Sequence, residues 1–151
     1  MKLGAKPSVI YIETTVLIAY TLTKLLEPER YTRTAALMMR INRGEMAAVT
    51  SFYALHEVLI FALRNALDPI MGRKLGKQAL LEILQTEIEV LPMITREERI
   101  LNTRTFAALK DPSDIAHAIS AYLNGCQILV SYDEDFHNLP LALTWKKPEE
   151  V

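Results

Sequence analysis

The sequence predicts an α/β protein, a three-layer α/β/α sandwich around a mainly parallel central sheet of about four to five strands. Three observations predict it. Short β-branched and aromatic runs show no polar alternation, as strands covered on both faces do. Segments with helical apolar spacing lie between these runs. Strands and helices alternate along the chain, which favours a parallel sheet between helical layers. The chain has 151 residues, 50% hydrophobic and 23% charged, enough to bury a core and too apolar for disorder. No repeat, low-complexity segment or linker interrupts it, so a single domain is expected over residues 1–151.

The first strand is Val9-Ile10-Tyr11-Ile12. Thr14 and Thr15 are placed to cap a helix with apolar spacing from Val16 to Leu26. Pro28 suits the first turn of a second helix, which Gly44 ends after about Arg43. Ala47-Ala48-Val49 reads as the second strand, and Thr50 or Ser51 caps a helix from Phe52 to Ala66 that is apolar on almost every side and so expected to be buried. Asp68-Pro69 opens a helix to about Thr86, and Ile88 to Leu91 is the third strand. Thr95 with Glu98 forms a capping box for a helix to about Leu109. Asp111-Pro112 starts the next helix and Asn124-Gly125 closes it. Gln127 to Ser131 is the fourth strand and Leu141 to Trp145 the fifth, with residues 146–151 expected to fray.

The net charge is −1, so any affinity for nucleic acid must come from local basic patches. The single cysteine, Cys126, excludes an internal disulfide and suits a cytoplasmic setting. The start carries Lys2 and Lys6, and Glu13 interrupts the following apolar run too early for a signal peptide. No segment approaches the ~18 apolar residues of a membrane helix.

The acids carry the functional signal. Parallel sheets bind ligands beyond the carboxyl ends of their strands. Glu13 follows the first strand, Asp133 follows the fourth, and Asp114 lies in the first turn of the helix that feeds the fourth. Glu57 is the one acid in the apolar helix, where an ionised carboxylate needs a cation or donors. Converging carboxylates raise each other's pKa unless a hard dication neutralises them, and oxygen-only ligands favour Mg²⁺ or Mn²⁺. Such an ion activates water and stabilises charge on a phosphodiester. Each acid also has a structural reading. Asp114 complements a helix N-terminus, Asp133 suits a turn, and Glu57 could be salt-bridged.

Four segments, in order, resemble the motifs of PIN domains: Val9 to Ile18 with Glu13, Ser51 to Leu59 with Glu57, Asp111 to Ala121 with Asp114, and Ile128 to Phe136 with Asp133 and Asp135. The resemblance implies a Mg²⁺- or Mn²⁺-dependent ribonuclease, with Glu13, Glu57, Asp114 and Asp133 at the acidic positions. Glu13, Asp114 and Asp133 would be metal ligands, Asp135 a helper, and Thr15 the residue that orients the first acid. It also implies the toxin of a toxin–antitoxin pair, a homodimer inhibited by a small antitoxin protein. The family usually has Asp where Glu13 stands, and often Asn or Ser at Thr15. The alternative is therefore a weakened or inactive PIN-like domain that binds RNA or protein. A signalling receiver is disfavoured, because Glu13 is a poor phospho-acceptor and no lysine closely follows the fourth strand.

Other residues carry less. His117 shares a helix face with Asp114, and a packed or hydrogen-bonded histidine is its commoner reading. Arg30, Arg33, Arg40 and Arg43 could touch phosphates or be a solvated face, and Tyr132 beside Asp133 could stack on a base.

Overall fold

The computed structural model describes residues 8–140 and 143–151. The Lys2- and Lys6-bearing start and Leu141, the expected beginning of the last strand, lie outside these. Five strands form one sheet in the order β3-β2-β1-β4-β5, and every neighbouring pair is parallel. They are β1 (Val9–Ile12), β2 (Ala47–Ser51), β3 (Glu89–Leu91), β4 (Ile128–Val130) and β5 (Thr144–Lys146).

The pleat of β1 explains the three layers. Ile10 and Ile12 join a core with α1 (Thr14–Thr21), α2 (Pro28–Asn42), α3 (Phe52–Asn65) and α4 (Pro69–Leu84). Tyr11 points to the opposite core, built with Phe106, Leu109 and the apolar side of α6 (Pro112–Leu123). The strand therefore needs apolar residues on both faces, and burying each large side chain stabilises the fold by about 1.5–3 kcal/mol.

Several helix ends form where the sequence places them. Ser51 caps α3, Asp68 caps α4, and Thr95 with Glu98 makes the capping box of α5 (Arg96–Asn102). Gly44 and Gly125 take φ values of +75° and +71° just beyond α2 and α6, a conformation glycine adopts without strain.

Other expectations are corrected. α1 stops at Thr21, and Leu25 and Leu26 beyond it are 95% and 81% exposed. Its cap is Glu13, not Thr14 or Thr15. α3 is not buried all round. Only Ala54, Leu55, Val58 and Ala62 are buried, while Phe52 and Leu63 are exposed. α4 covers one side of α3 closely, because Gly72 and Gly76 leave no room for a side chain there: a Cβ at Gly76 would sit 2.6 Å from the Leu59 side chain. α1 also meets α3, and the exposed residues lie on the face that these two helices and the sheet leave open. The helix expected to reach Leu109 ends at Asn102 and continues as a 3-10 turn over Thr103–Phe106.

The end of the chain is not frayed. Lys146 pairs in β5, and Pro148–Glu150 forms a 3-10 turn that packs on α2. Arg40 donates to the Val151 carbonyl at 2.8 Å, and Arg33 lies 3.3 Å from Glu149. These contacts, together with Arg40–Glu45 and Arg30–Glu27, occupy much of the arginine row of α2. No helix among the described residues is long and apolar enough to cross a membrane.

Candidate metal centre and its acid network

The order β3-β2-β1-β4-β5 places a topological switch point between β1 and β4, because the chain leaves β1 toward β2 and returns on the other side at β4. Ligands of open parallel sheets bind there, beyond the strand C-termini. The loops after β1 and β4 carry Glu13 and Ser131–Asp133 to this edge, the end of β2 brings Ser51, and the first turn of α6 brings Asp114.

Asp114, Asp133 and Asp135 each offer a carboxylate oxygen, and these oxygens lie within 4.8 Å of one another. Asp114 is buried, Asp133 half-buried and Asp135 exposed. Asp133 accepts from the Asp135 amide at 2.9 Å, a turn that folds the second acid back beside the first. Burial, then the charges of Asp133, Asp111 and Glu13, push the Asp114 carboxyl up to about 7 from 3.8. Among the described residues no ion pair joins a basic side chain to these three acids, and the charge of His117 lowers the Asp114 pKa only weakly against the rest. The structure thus brings together Asp114 and Asp133 with Asp135, the residue given only a helper's place by the sequence.

Glu13 stands apart from that group. Its Oε2 accepts from the Thr15 amide at 3.0 Å, the Thr15 hydroxyl at 2.6 Å and the Ser131 hydroxyl at 2.7 Å. The same carboxylate is the N-cap of α1, which complements the positive end of the helix dipole. Ser131 in turn accepts from the Asp133 amide at 2.9 Å, and Thr15 accepts from the Tyr132 amide at 2.9 Å. Through these bonds Glu13 ties the loop after β1 to the loop after β4.

Glu57 also lies outside the aspartate group. Its Oε1 accepts from the Thr14 hydroxyl at 2.6 Å and from His117 Nε2 at 2.5 Å. Burial alone would raise its pKa, but the His117 hydrogen bond and charge, with Thr14, outweigh burial and hold it below the usual carboxylate value. At His117 burial is the largest single influence and lowers the imidazole pKa, but the Glu57 hydrogen bond together with the charges of Glu13, Glu57 and Asp114 outweighs it, and the net shift is upward. The two form an imidazole–carboxylate pair, and each shift favours the charged form of its group. Of the four acids, then, Asp114 and Asp133 fall within the close aspartate group, Glu57 is bonded to His117 and Thr14, and Glu13 is held by hydroxyls while its charge still acts on Asp114 and His117.

The sequence signals for the remaining members are faint. Tyr11 interrupts an aliphatic strand, and its hydroxyl lies 2.6 Å from His117 Nδ1 and 2.8 Å from Ser51 Oγ. Ser131 and Thr14 are short hydroxyl residues at strand ends, a pattern too common to single out. Tyr132 packs inward. It is buried, its hydroxyl is 3.0 Å from that of Thr34 and donates to the Arg30 carbonyl, and the Arg30 guanidinium covers its ring at 4.7 Å. Beside Glu57 opens a groove of about 550 Å³, lined by Tyr53, His56, Arg64 and Asn65 among others.

The aspartates fit a hard dication on their own chemistry. All three offered donors are carboxylate oxygens, and one carboxyl is raised toward protonation by burial first and by the neighbouring acids second.

The PIN domain family profile matches residues 10–141. No curated protein matches the sequence. Among solved structures, the chain is similar to VapBC2 from Rickettsia felis bound to a DNA fragment from their promoter, at 14% identity and a TM-score of 0.63 over 92% of this chain and 98% of that one. It is similar to VapC20 from Mycobacterium tuberculosis, described as a Sarcin-Ricin loop cleaving toxin, at 16% identity and a TM-score of 0.62 over 83% and 91%. FitAcB from Neisseria gonorrhoeae shares 15% identity and a TM-score of 0.65 over 94% and 99%. At such identities the likeness speaks for the fold.

Proposed function

The chain belongs to the PIN domain family, and from that premise we propose that it is a divalent-metal-dependent endoribonuclease, the toxin of a toxin–antitoxin pair. The observation that carries the reading is the group of three aspartate oxygens at the switch point, which no ion pair among the described residues balances. Asp114 and Asp133, with Asp135, would hold Mg²⁺ or Mn²⁺, and Glu13 would add its charge from the flank. When bound, the ion supplies a water of lowered pKa and charge stabilisation for the phosphodiester.

The protein's own groups supply orientation. Thr15 and Ser131 keep Glu13 in place, and the Asp133–Asp135 turn sets the spacing of two acids. Glu57, whose ionised form His117 and Thr14 favour, would accept a hydrogen bond from the attacking water and orient it. The groove beside Glu57 gives the RNA strand a path, with Arg64 as a phosphate partner and Tyr53 as a stacking face.

The exposed Leu25, Leu26, Leu67 and Ile70 offer apolar area for a second copy or an antitoxin. The toxin reading is also in keeping with the named activity of the VapC20 neighbour.

The test is cleavage of a mixed RNA by the purified protein with Mg²⁺ or Mn²⁺, beside Asp114→Asn. Metal-dependent cleavage that the variant loses is the expected result. Equal cleavage by both proteins discards the assignment. No divalent binding at millimolar metal, in a protein that still binds RNA, replaces it with a non-catalytic binding domain.

A further inference from the structure

We propose that His117 is a positioning residue that fixes the Glu57 carboxylate at the groove floor through a hydrogen-bonded line running from Ser51 through Tyr11. The inference rests on the ribonuclease reading and deepens it, because nothing in the four acidic motifs assigns a role to this histidine.

Geometry supports it at each link. His117 is 1% exposed, so it cannot touch substrate. Both its ring nitrogens are engaged, Nε2 with Glu57 at 2.5 Å and Nδ1 with the Tyr11 hydroxyl at 2.6 Å. The Tyr11 hydroxyl also meets Ser51 Oγ, which accepts from the Ala54 amide as the N-cap of α3. Five elements thus converge on one imidazole: β1 through Tyr11, the end of β2 through Ser51, α1 through Thr14, whose hydroxyl is 3.3 Å from Nε2, α3 through Glu57, and α6, which carries His117 itself. Tyr53 packs a ring 5.3 Å from the imidazole, closing it off from the groove.

A glutamate has three side-chain torsions and would sample many rotamers at a half-open groove. Two donors on one oxygen, His117 Nε2–H and the Thr14 hydroxyl, restrict it to one orientation. The other oxygen, Oε2, takes part in neither bond. A buried imidazole braced at both nitrogens is stiff in a way that a solvent-exposed lysine or arginine partner would not be. The imidazole also sits on α6 three residues after Asp114, so one helix registers the Glu57 carboxylate against the aspartate group.

A double-mutant cycle tests it. Glu57→Gln is expected to lower kcat on the order of 100-fold, the usual weight of a positioned acid–base group. His117→Gln should lower kcat about tenfold with KM unchanged, because misplacement of a catalytic group weakens the chemical step rather than binding. On the Glu57→Gln background His117→Gln should cost nothing further. Tyr11→Phe, which keeps the ring and removes only the brace at Nδ1, should give a smaller kcat loss that also vanishes on that background, and it carries the cycle if His117→Gln does not fold.

A readout without turnover accompanies it. In metal-free protein labelled at histidine nitrogen, the slowly exchanging imidazole N–H signal of His117 should move in Glu57→Gln and broaden in Tyr11→Phe. Losses that multiply across the cycle, or a rate that stays constant while only the melting temperature falls, would reduce His117 to a packing residue and overturn the proposal. An inactive wild type overturns the ribonuclease reading and this proposal with it. An active wild type with multiplying losses overturns this proposal alone.

Discussion

Asp114 and Glu57 are carboxylates at the same edge of one sheet, and their surroundings push them in opposite directions. Asp114 faces Asp133, Asp111 and Glu13, and its carboxyl rises to about 7. Glu57 faces His117 and Thr14, and its pKa falls. Burial acts the same way on both, so neighbours and not depth decide the sign. One region gathers like charges around a buried acid. The other sets its acid against an imidazole and a hydroxyl that favour the ionised form.

The largest expected effect breaks the open region. Asp114→Asn should lower RNA cleavage by at least about 100-fold, in line with loss of a metal-dependent step, and abolish the thermal stabilisation that Mn²⁺ gives the wild type. Without metal the same variant should melt higher than wild type at pH 8, by about 1 kcal/mol of stability, because it removes a repelled charge. Melting curves with and without Mn²⁺ check both signs.

The next effect separates the regions by pH. The folded Asp114 pKa lies above its unfolded value, so its contribution to metal-free stability is full below about pH 4 and is lost as pH rises through about 7. Binding of a dication needs the ionised form, so stabilisation by Mn²⁺ should grow across that same window. The closed pair behaves differently. Glu57, with a lowered pKa, stabilises above its unfolded value and loses this as pH falls. His117, with a raised pKa, stabilises below its unfolded value and loses this as pH rises through the folded one. In Asp114→Asn protein without metal, the melting temperature should therefore peak at mildly acid to neutral pH, and the peak should vanish in the Asp114→Asn, Glu57→Gln double variant.

A smaller effect probes the fastening of Glu13. Ser131→Ala removes one of the donors to its Oε2 and one acceptor for the Asp133 amide, and should cost about 1–2 kcal/mol in denaturant unfolding while weakening Mn²⁺ binding severalfold by calorimetry. The smallest concerns Tyr132. Tyr132→Phe should cost roughly 1 kcal/mol through its bonds to Thr34 and the Arg30 carbonyl and leave cleavage unchanged. A tenfold loss of rate there would return Tyr132 to the substrate face.

The fold was largely legible in the chain. Covered parallel strands need uninterrupted apolar runs, and Val9–Ile12 and Ile128–Val130 have them; the caps at Ser51, Asp68, Thr95 and Asp111 are local chemistry within a few residues. Periodicity overreached where a long-range neighbour decides. Apolar residues surround α3, yet only the faces met by the sheet, α1 and α4 are buried. The polar tail has no local reason to order, and does so because Arg33 and Arg40 on α2 receive it.

The site divides the same way. Acids after parallel strands reach one edge by topology alone, so the sequence determined that Glu13, Asp114 and Asp133 lie beyond the ends of β1 and β4, and the spacing Asp133 to Asp135 determined a turn. Which acids share a charge problem was decided only by the tertiary structure. Side-chain partners about 3 Å apart come from residues as distant in the chain as Tyr11 and His117, or Glu13 and Ser131. Coulomb and hydrogen-bond energies depend on those distances in space, and periodicity along the chain carries no record of them.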